Sequence, residues 1–259
     1  MGVLIVCKDA LFTEDNVFDH IQIKEPEIPE DPKTIADYPV TDGLKGLYDL
    51  GGTAEASLVN HAPEPHVNTA AEKLEGSYVV DENFITFSGA TNTSRMSTYL
   101  RLQLEDGITA VTLFKVPTGA RVLVGNRSGS DTAGASGTNL RNDGVEFWKD
   151  GVHSTNTFTA INSNNFAILA MTASEGGLRV VRYTNGALNE LYDFEGDIVP
   201  WSSNTNAIQI AGYSKPGNAK ADADIALTAI HTGVLTDPQL ESICEFVKKY
   251  GEQKGLTIE

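Results

Sequence analysis

Cysteine is nearly absent from this chain. Its 259 residues contain two, Cys7 and Cys244, with no C-x-x-C pair, which excludes zinc ribbons and thioredoxin-type redox motifs. Two distant thiols are expected to be free and packed, not joined in a disulfide. No apolar run approaches the ~18 residues of a membrane-spanning helix, so membrane insertion is not expected. The apolar start, Met1 to Cys7, stops at Lys8-Asp9 and lacks a basic flank. Val6 stands where N-myristoylation needs Ser or Thr. Synthesis in the cytosol without a cleaved export signal is therefore expected. Basic residues are also scarce: 19 Lys and Arg stand against 35 Asp and Glu, a formal net charge of −16. Such a surface repels phosphate backbones and excludes nucleic acid as a partner. Nucleophile and nucleotide motifs are missing. Gly125-Asn-Arg-Ser-Gly129 has the wrong spacing for a nucleophile elbow, and no glycine-rich phosphate loop follows a strand.

The acids that are present gather early. Residues 1–75 hold 15 acids and 5 bases, whereas the remainder holds 20 and 14. Within that third, Lys24-Glu-Pro-Glu-Ile-Pro-Glu-Asp-Pro-Lys33 interleaves three prolines with acids, which excludes a helix or a central strand. An extended linker is expected, with a boundary near residue 40: residues 1–40 as arm and linker, 41–259 as the domain. Short strands are expected at 3–7 and 16–23, and an arm this small must dock on something larger.

From Gly46 onward the pattern is β. Strands are expected at 46–50, 85–89, 108–116, 122–124, 145–149, 166–173, 178–183, 187–194, 207–213 and 225–231. Asn142-Asp-Gly144, Lys149-Asp-Gly151, Ser174-Glu-Gly-Gly177 and Thr184-Asn-Gly186 are hairpin signals, because Asn, Asp and Gly tolerate positive φ. One amphipathic helix closes the chain. Thr236 and Gln239 form a capping box, Leu240, Ile243, Cys244, Val247 and Tyr250 make the buried stripe, and Gly251 is the expected stop. Many short strands and one helix predict an all-β, two-sheet antiparallel sandwich.

The order of these parts resembles concanavalin A-like, laminin-G-like jelly rolls of the kind found in tailed-phage virion proteins. Leu47-Tyr-Asp-Leu50, Ile85-Thr-Phe-Ser-Gly89, Ile108 to Val116, the Leu178 to Gly186 hairpin and Ile225 to Lys249 carry the resemblance, which spans about residues 44–255. It implies a jelly roll with an N-terminal arm and a short C-terminal helix. It further implies a non-enzymatic virion protein, either a capsid decoration or a tail fibre or tip component. That protein would be made in the host cytoplasm, joined to other virion proteins by its arm, and associated as a homo-oligomer, a trimer by analogy. A host-surface glycan is the implied ligand. The alternatives are a bacterial lectin module, a glycan-active enzyme or a cell-surface adhesion domain.

Candidate binding residues follow from chemistry. Trp148, Trp201, Tyr183 and Tyr213 offer rings that stack on sugars, against the commoner fate of core packing. The polar stretch 125–144, with Asn126, Asp131 and Asn139, offers oxygens to a sugar or to calcium, which takes about 6–8 oxygen ligands. His61 and His66 bracket Glu64, but two prolines exclude a helical metal motif there. Hydrolysis needs paired carboxylates, and the nearest candidates are Glu190, Asp193 and Glu195. On a straight strand Glu190 and Asp193 point to opposite faces, and Asp193 and Glu195 to the same one. No catalytic residue is assigned. Removing residues 1–40 is expected to leave a folded, soluble domain that no longer assembles, which a mass measurement in solution would show.

Overall fold

The strand-length runs pair into two antiparallel sheets. In this computed structural model the described residues are 32–65, 71–89, 94–102, 106–126, 137–149, 152–196, 207–212 and 221–259; for 147–149 and 152–154 the backbone alone is described. The expected N-terminal strands and Cys7 lie outside them. The elements in chain order are β1 (Leu44–Asp49), α1 (Ala54–Ser57), β2 (Lys73–Glu75), β3 (Tyr78–Val80), β4 (Ile85–Phe87), β5 (Arg95–Ser97), β6 (Ile108–Lys115), β7 (Val122–Gly125), β8 (Gly137–Arg141), β9 (Gly144–Lys149), β10 (Val152–Thr157), β11 (Ala167–Ser174), β12 (Gly177–Thr184), β13 (Ala187–Glu195), β14 (Gln209–Ile210), β15 (Ala223–Thr232) and α2 (Asp237–Gln253). The larger sheet runs β13-β12-β11-β6-β15-β4-β3, with β1 also paired to β15; the smaller runs β10-β9-β8-β7-β14-β5-β2.

Three layers result. Residues such as Phe87, Phe114, Leu169 and Ile225 of the larger sheet meet Met96, Leu123, Leu140 and Val145 of the smaller one in the central core. The opposite face of the larger sheet, with Val111, Leu113, Ile168 and Val181, packs under Leu240, Ile243, Cys244 and Val247 of α2. Cys244 is buried and free. Thr236 and Gln239 form the expected capping box. The helix passes through Gly251, which was the expected stop. Gly251 is buried, and a Cβ there would lie 2.7 Å from Ile258 Cδ1 and 2.9 Å from Leu113 Cδ2, so this glycine serves close packing. The chain turns instead at Gly255, where φ is +81°.

The β12–β13 hairpin turns through Asn185 and Gly186, both at positive φ (54° and 76°), as its Asn-Gly pair predicts. The strand expected at 207–213 shortens to Gln209–Ile210 among the described residues. A bulge alters β13: Val180 faces Tyr192 and Val181 faces Glu190, which leaves Leu191 over. The extra residue moves Glu190 onto the face of Asp193. Asp193 lies opposite Arg179, and Arg179 Nε lies 3.1 Å from Glu190 Oε2. The straight-strand expectation for this pair is thereby corrected.

Residues 32–40, expected as linker, pack against the sandwich. Lys33 N donates to Gln253 Oε1 at 2.8 Å, and Tyr38 is 5% exposed, edge-on to Phe246. The Tyr38 hydroxyl is 3.0 Å from Nε2 of the fully buried His231, whose Nδ1 is 3.2 Å from the Asp42 carbonyl. A second buried anchor is Arg121, 1% exposed. It donates to the carbonyls of Ala211, Ser94, Ser88 and Ala221 and so ties four segments at one end of the sandwich. Burial lowers its pKa to about 10, with Asp222 opposing the shift.

Two predictions follow from the Tyr38–His231 contact. Deleting residues 32–40, or the change Tyr38→Ala, costs about 3 kcal/mol by denaturant titration. Burial pushes His231 below its ordinary pKa, against the Asp42 carbonyl. The unfolded chain, with its histidine near ~6.5, therefore takes up the proton first as pH falls. The contribution of His231 is whole above that value and is lost as pH drops through the folded pKa. Unfolding free energy should fall as pH drops below about 6.5, and His231→Gln should flatten that slope.

Candidate functional site

Register brings one polar row together across the smaller sheet. Opposite one another, in sheet order, lie Lys73, Ser97, Gln209, Gly125, Asn139, Glu146 and Thr155. Residues directly opposite in antiparallel strands share a face. Their chain neighbours Met96, Ile210, Val124, Leu140 and Val145 fill the central core, so the row lies on the face turned away from the larger sheet. Burial deepens toward its middle. The Lys73 side chain is 52% exposed, Ser97 is 5%, Asn139 is 0%, Glu146 is 8%, and Thr155 is exposed again.

Ion pairs flank the row on both sides. Glu75 bonds Lys73 (2.6 Å) and Arg95 (2.8 Å) and accepts from Ser97 Oγ (2.7 Å). Burial raises the Glu75 pKa, but these partners outweigh it, and the carboxyl sits below its usual range. Arg141 holds Asp143 at 2.7 and 2.9 Å and also bonds Glu146. Burial opposes the charge of Arg141, yet its carboxylate partners carry its pKa above the ordinary value. Asn139 Nδ2 donates to Glu146 Oε2 at 3.1 Å. That bond fixes the amide, because the reversed orientation would set its oxygen against a carboxylate. Asn139 Oδ1 then points over Gly125, where any Cβ would overlap it. Among the described residues, buried Oδ1 of Asn139 and Oε1 of Gln209, on the two sides of Gly125, have no hydrogen-bond partner.

The expected site residues distribute unevenly around this row. Asn139 belongs to it. Asn126 is 4% exposed and locks β7 to β8, its N donating to Thr138 O and its Oδ1 accepting from Thr138 N. Tyr183, expected to offer a ring to a sugar, is instead 7% exposed beneath α2 on the larger sheet, where its pKa is raised by burial. For Trp148 only the backbone pairing to Gly137 and His153 is described. Trp201, Asp131 and Tyr213 lie outside the described residues. So does half of the stretch expected to hold calcium, residues 127–136. Among the described residues no group of three or more His, Cys, Asp or Glu is placed to hold a metal ion. His61 is exposed.

The bulge at Leu191 brings Glu190, Asp193 and Glu195 to the α2 side of the larger sheet. Asp193 and Glu195 line a shallow hollow with Arg179, Thr172 and Leu235. Arg179 also binds Asp237 in the first turn of α2. Gln209, Ser97 and Glu146 carry no local signal that could have singled them out, because the row exists only through register.

No protein-family model and no curated protein matches this chain. Solved structures do. The receptor binding domain of botulinum neurotoxin C/D mosaic serotype is similar at a TM-score of 0.53 and 11% identity, over 82% of this chain and 55% of that one. Trypanosoma rangeli sialidase, solved as a covalent intermediate with 2,3-difluorosialic acid, is similar at 0.54 and 13% identity, over 82% of this chain and 33% of that one. The botulinum neurotoxin serotype D ligand binding domain, in complex with N-acetylneuraminic acid, is similar at 0.53 and 10% identity, over 84% and 56%. The chain thus spans between a third and about half of the length of these proteins. At such identities the likeness is one of fold, an all-β two-sheet sandwich of jelly-roll type.

Proposed function

We propose that this chain is a non-enzymatic, glycan-binding jelly roll whose binding surface is the outward face of the smaller sheet. The polar row carries the reading: its half-buried and exposed members Lys73, Gln209 and Thr155 offer donors and acceptors to the hydroxyls of a ligand, while Asn139, fully buried at its middle with its amide fixed by Glu146, holds the row in place. Sugars present such hydroxyls in rows. The fold neighbours solved with N-acetylneuraminic acid or with a sialic acid derivative lend the same ligand class by analogy.

The absence of an enzymatic role is inferred from how the carboxylates are held. Glycoside hydrolysis needs one acid free to deliver a proton and a second facing it across the bond. Glu75, Asp143 and Glu146 near the row are each ion-paired to an arginine. On the other sheet Glu190 shares Arg179 with Asp237.

The place of this module is, in our reading, the surface of a tailed-phage virion. Residues 1–31 would join it to neighbouring virion proteins, and the oligomer would be a trimer. The motif order and the proline-acid segment ahead of a body that begins at Pro32 support this. A glycan array with the full chain should give binding that Asn139→Leu abolishes, with no sugar released from any bound polymer. An array without signal, or measurable turnover, would count against the proposal. Light scattering should show the mass drop to that of a monomer when residues 1–31 are removed.

A further inference from the structure

The larger sheet ends on an open edge. Its last strand, β13, pairs with β12 alone among the described residues. The other side of β13 presents backbone N–H and C=O groups that no described strand takes up. Ala187, Asn189, Glu190, Asp193, Phe194 and Glu195 are exposed, so this edge lies in solvent. Its two faces differ. Glu190, Asp193 and Glu195 stand on the α2 side, where the nearby Arg179 is already bonded to Glu190 and Asp237. Among the described residues neither Asp193 nor Glu195 is ion-paired. Tyr192 and Phe194 stand on the other side, opposite Val180 and Leu178 of the central core, and Phe194 is 39% exposed. Apolar and acidic residues therefore alternate from Tyr192 to Glu195.

We propose that this edge takes up an extended segment of another protein, one in which basic and apolar residues alternate, as an added strand of the larger sheet. Main-chain hydrogen bonds form the ladder, and side chains on the two faces set the choice of partner. Basic side chains meet Asp193 and Glu195 on the α2 side. Apolar ones pack beside Tyr192 and Phe194 and extend the rim of the core. A second copy of β13 is the wrong occupant, because acids would stand against acids. Residues 1–31 of a second copy hold eight acids and two bases, Lys8 and Lys24, and meet the same repulsion. Charge and the bulge at Leu191 guard the edge against its own kind. The same charge admits a strand of opposite sign. This surface belongs to the larger sheet and does not depend on the glycan-binding reading.

The test is titration of the full chain with three short peptides, followed by calorimetry and by amide hydrogen exchange. One alternates lysine with valine, one has the same composition in two blocks, and one alternates glutamate with valine. The alternating basic peptide should bind and slow exchange at the amides of residues 192–195. The block peptide should bind about tenfold weaker or more, because it cannot place its charges on one face. Changing Asp193→Lys and Glu195→Lys together, at exposed positions where the fold is expected to survive, should weaken the basic peptide about tenfold and shift the preference to the glutamate peptide. Equal binding of the two basic peptides, or protection confined to other strands, overturns strand addition at this edge. Affinity for the basic peptide unchanged in the double variant overturns the two acids as its selector. No binding of the alternating basic peptide overturns the inference outright, and the glycan reading, which rests on the smaller sheet, is then judged by the array alone.

Discussion

Covering the larger sheet on both faces is the constraint from which the rest follows. β6, β11 and β15 are buried at nearly every position, with the smaller sheet on one side and α2 on the other. A strand in that setting cannot alternate apolar and polar residues, so it reads as a continuous run of Val, Ile, Leu, Ala and Thr. The threonines inside it must find partners within the layer. Thr109 Oγ1 donates to Gly233 O at 2.8 Å, and the hydroxyls of Thr112 and Thr228 lie 3.3 Å apart on adjacent strands. α2 is held over the sheet by its apolar stripe and by Asp49, which accepts from Tyr250 and Lys254, both at 2.7 Å. Tyr38 extends the same cover from the other end of the described chain.

With its larger partner closed on both sides, the smaller sheet is where the sandwich can place a polar face. Its strands alternate apolar and polar residues: Met96, Ile210, Leu140 and Val145 point into the central core, and Ser97, Gln209, Asn139 and Glu146 lie on the other face, where β7 and β8 are also buried. The opposite ends of these strands are fixed by Arg121, which precedes β7 and whose bonds to four carbonyls hold the end of β4, the start of β5, the end of β14 and the approach to β15 in one arrangement. Core and row are thus two consequences of one register. A slip of one residue in β8 would exchange Asn139 for Leu140 and undo both.

That dependence explains what was legible in the amino-acid sequence. The long strands and their turns could be read directly, because β-branched runs and Asn-Gly or Asp-Gly pairs are local signals. β2, β3 and β5 were missed, since three residues cannot display an alternation. β8 was missed because Thr138 and Asn139 read as polar loop and their burial depends on strands far away. The bulge at Leu191 was invisible, and it reversed the expected relation of Glu190 to Asp193. Gly251 looks like a helix stop until Ile258 is seen to come back against it. Asn139 was identified by residue type alone. The company it keeps was not, because Ser97, Gln209 and Glu146 come from three other strands whose pairing no local pattern encodes.

On the proposed reading this face holds a ligand and does not transform it, and two features of the row bear on that. Groups carried on the strands of a sheet are positioned by the ladder, so they are preorganised at no further entropic cost when a ligand arrives. Catalysis on a sugar would require one of those groups to move a proton, and amide oxygens do not. The acids of the row that could are bound by arginines, and those ion pairs are also what orient Asn139. Freeing Glu146 to act as an acid would release the amide that it fixes. The same bond network therefore maintains the amide in place and holds the carboxylate that could donate a proton, as the proposed role in recognition requires.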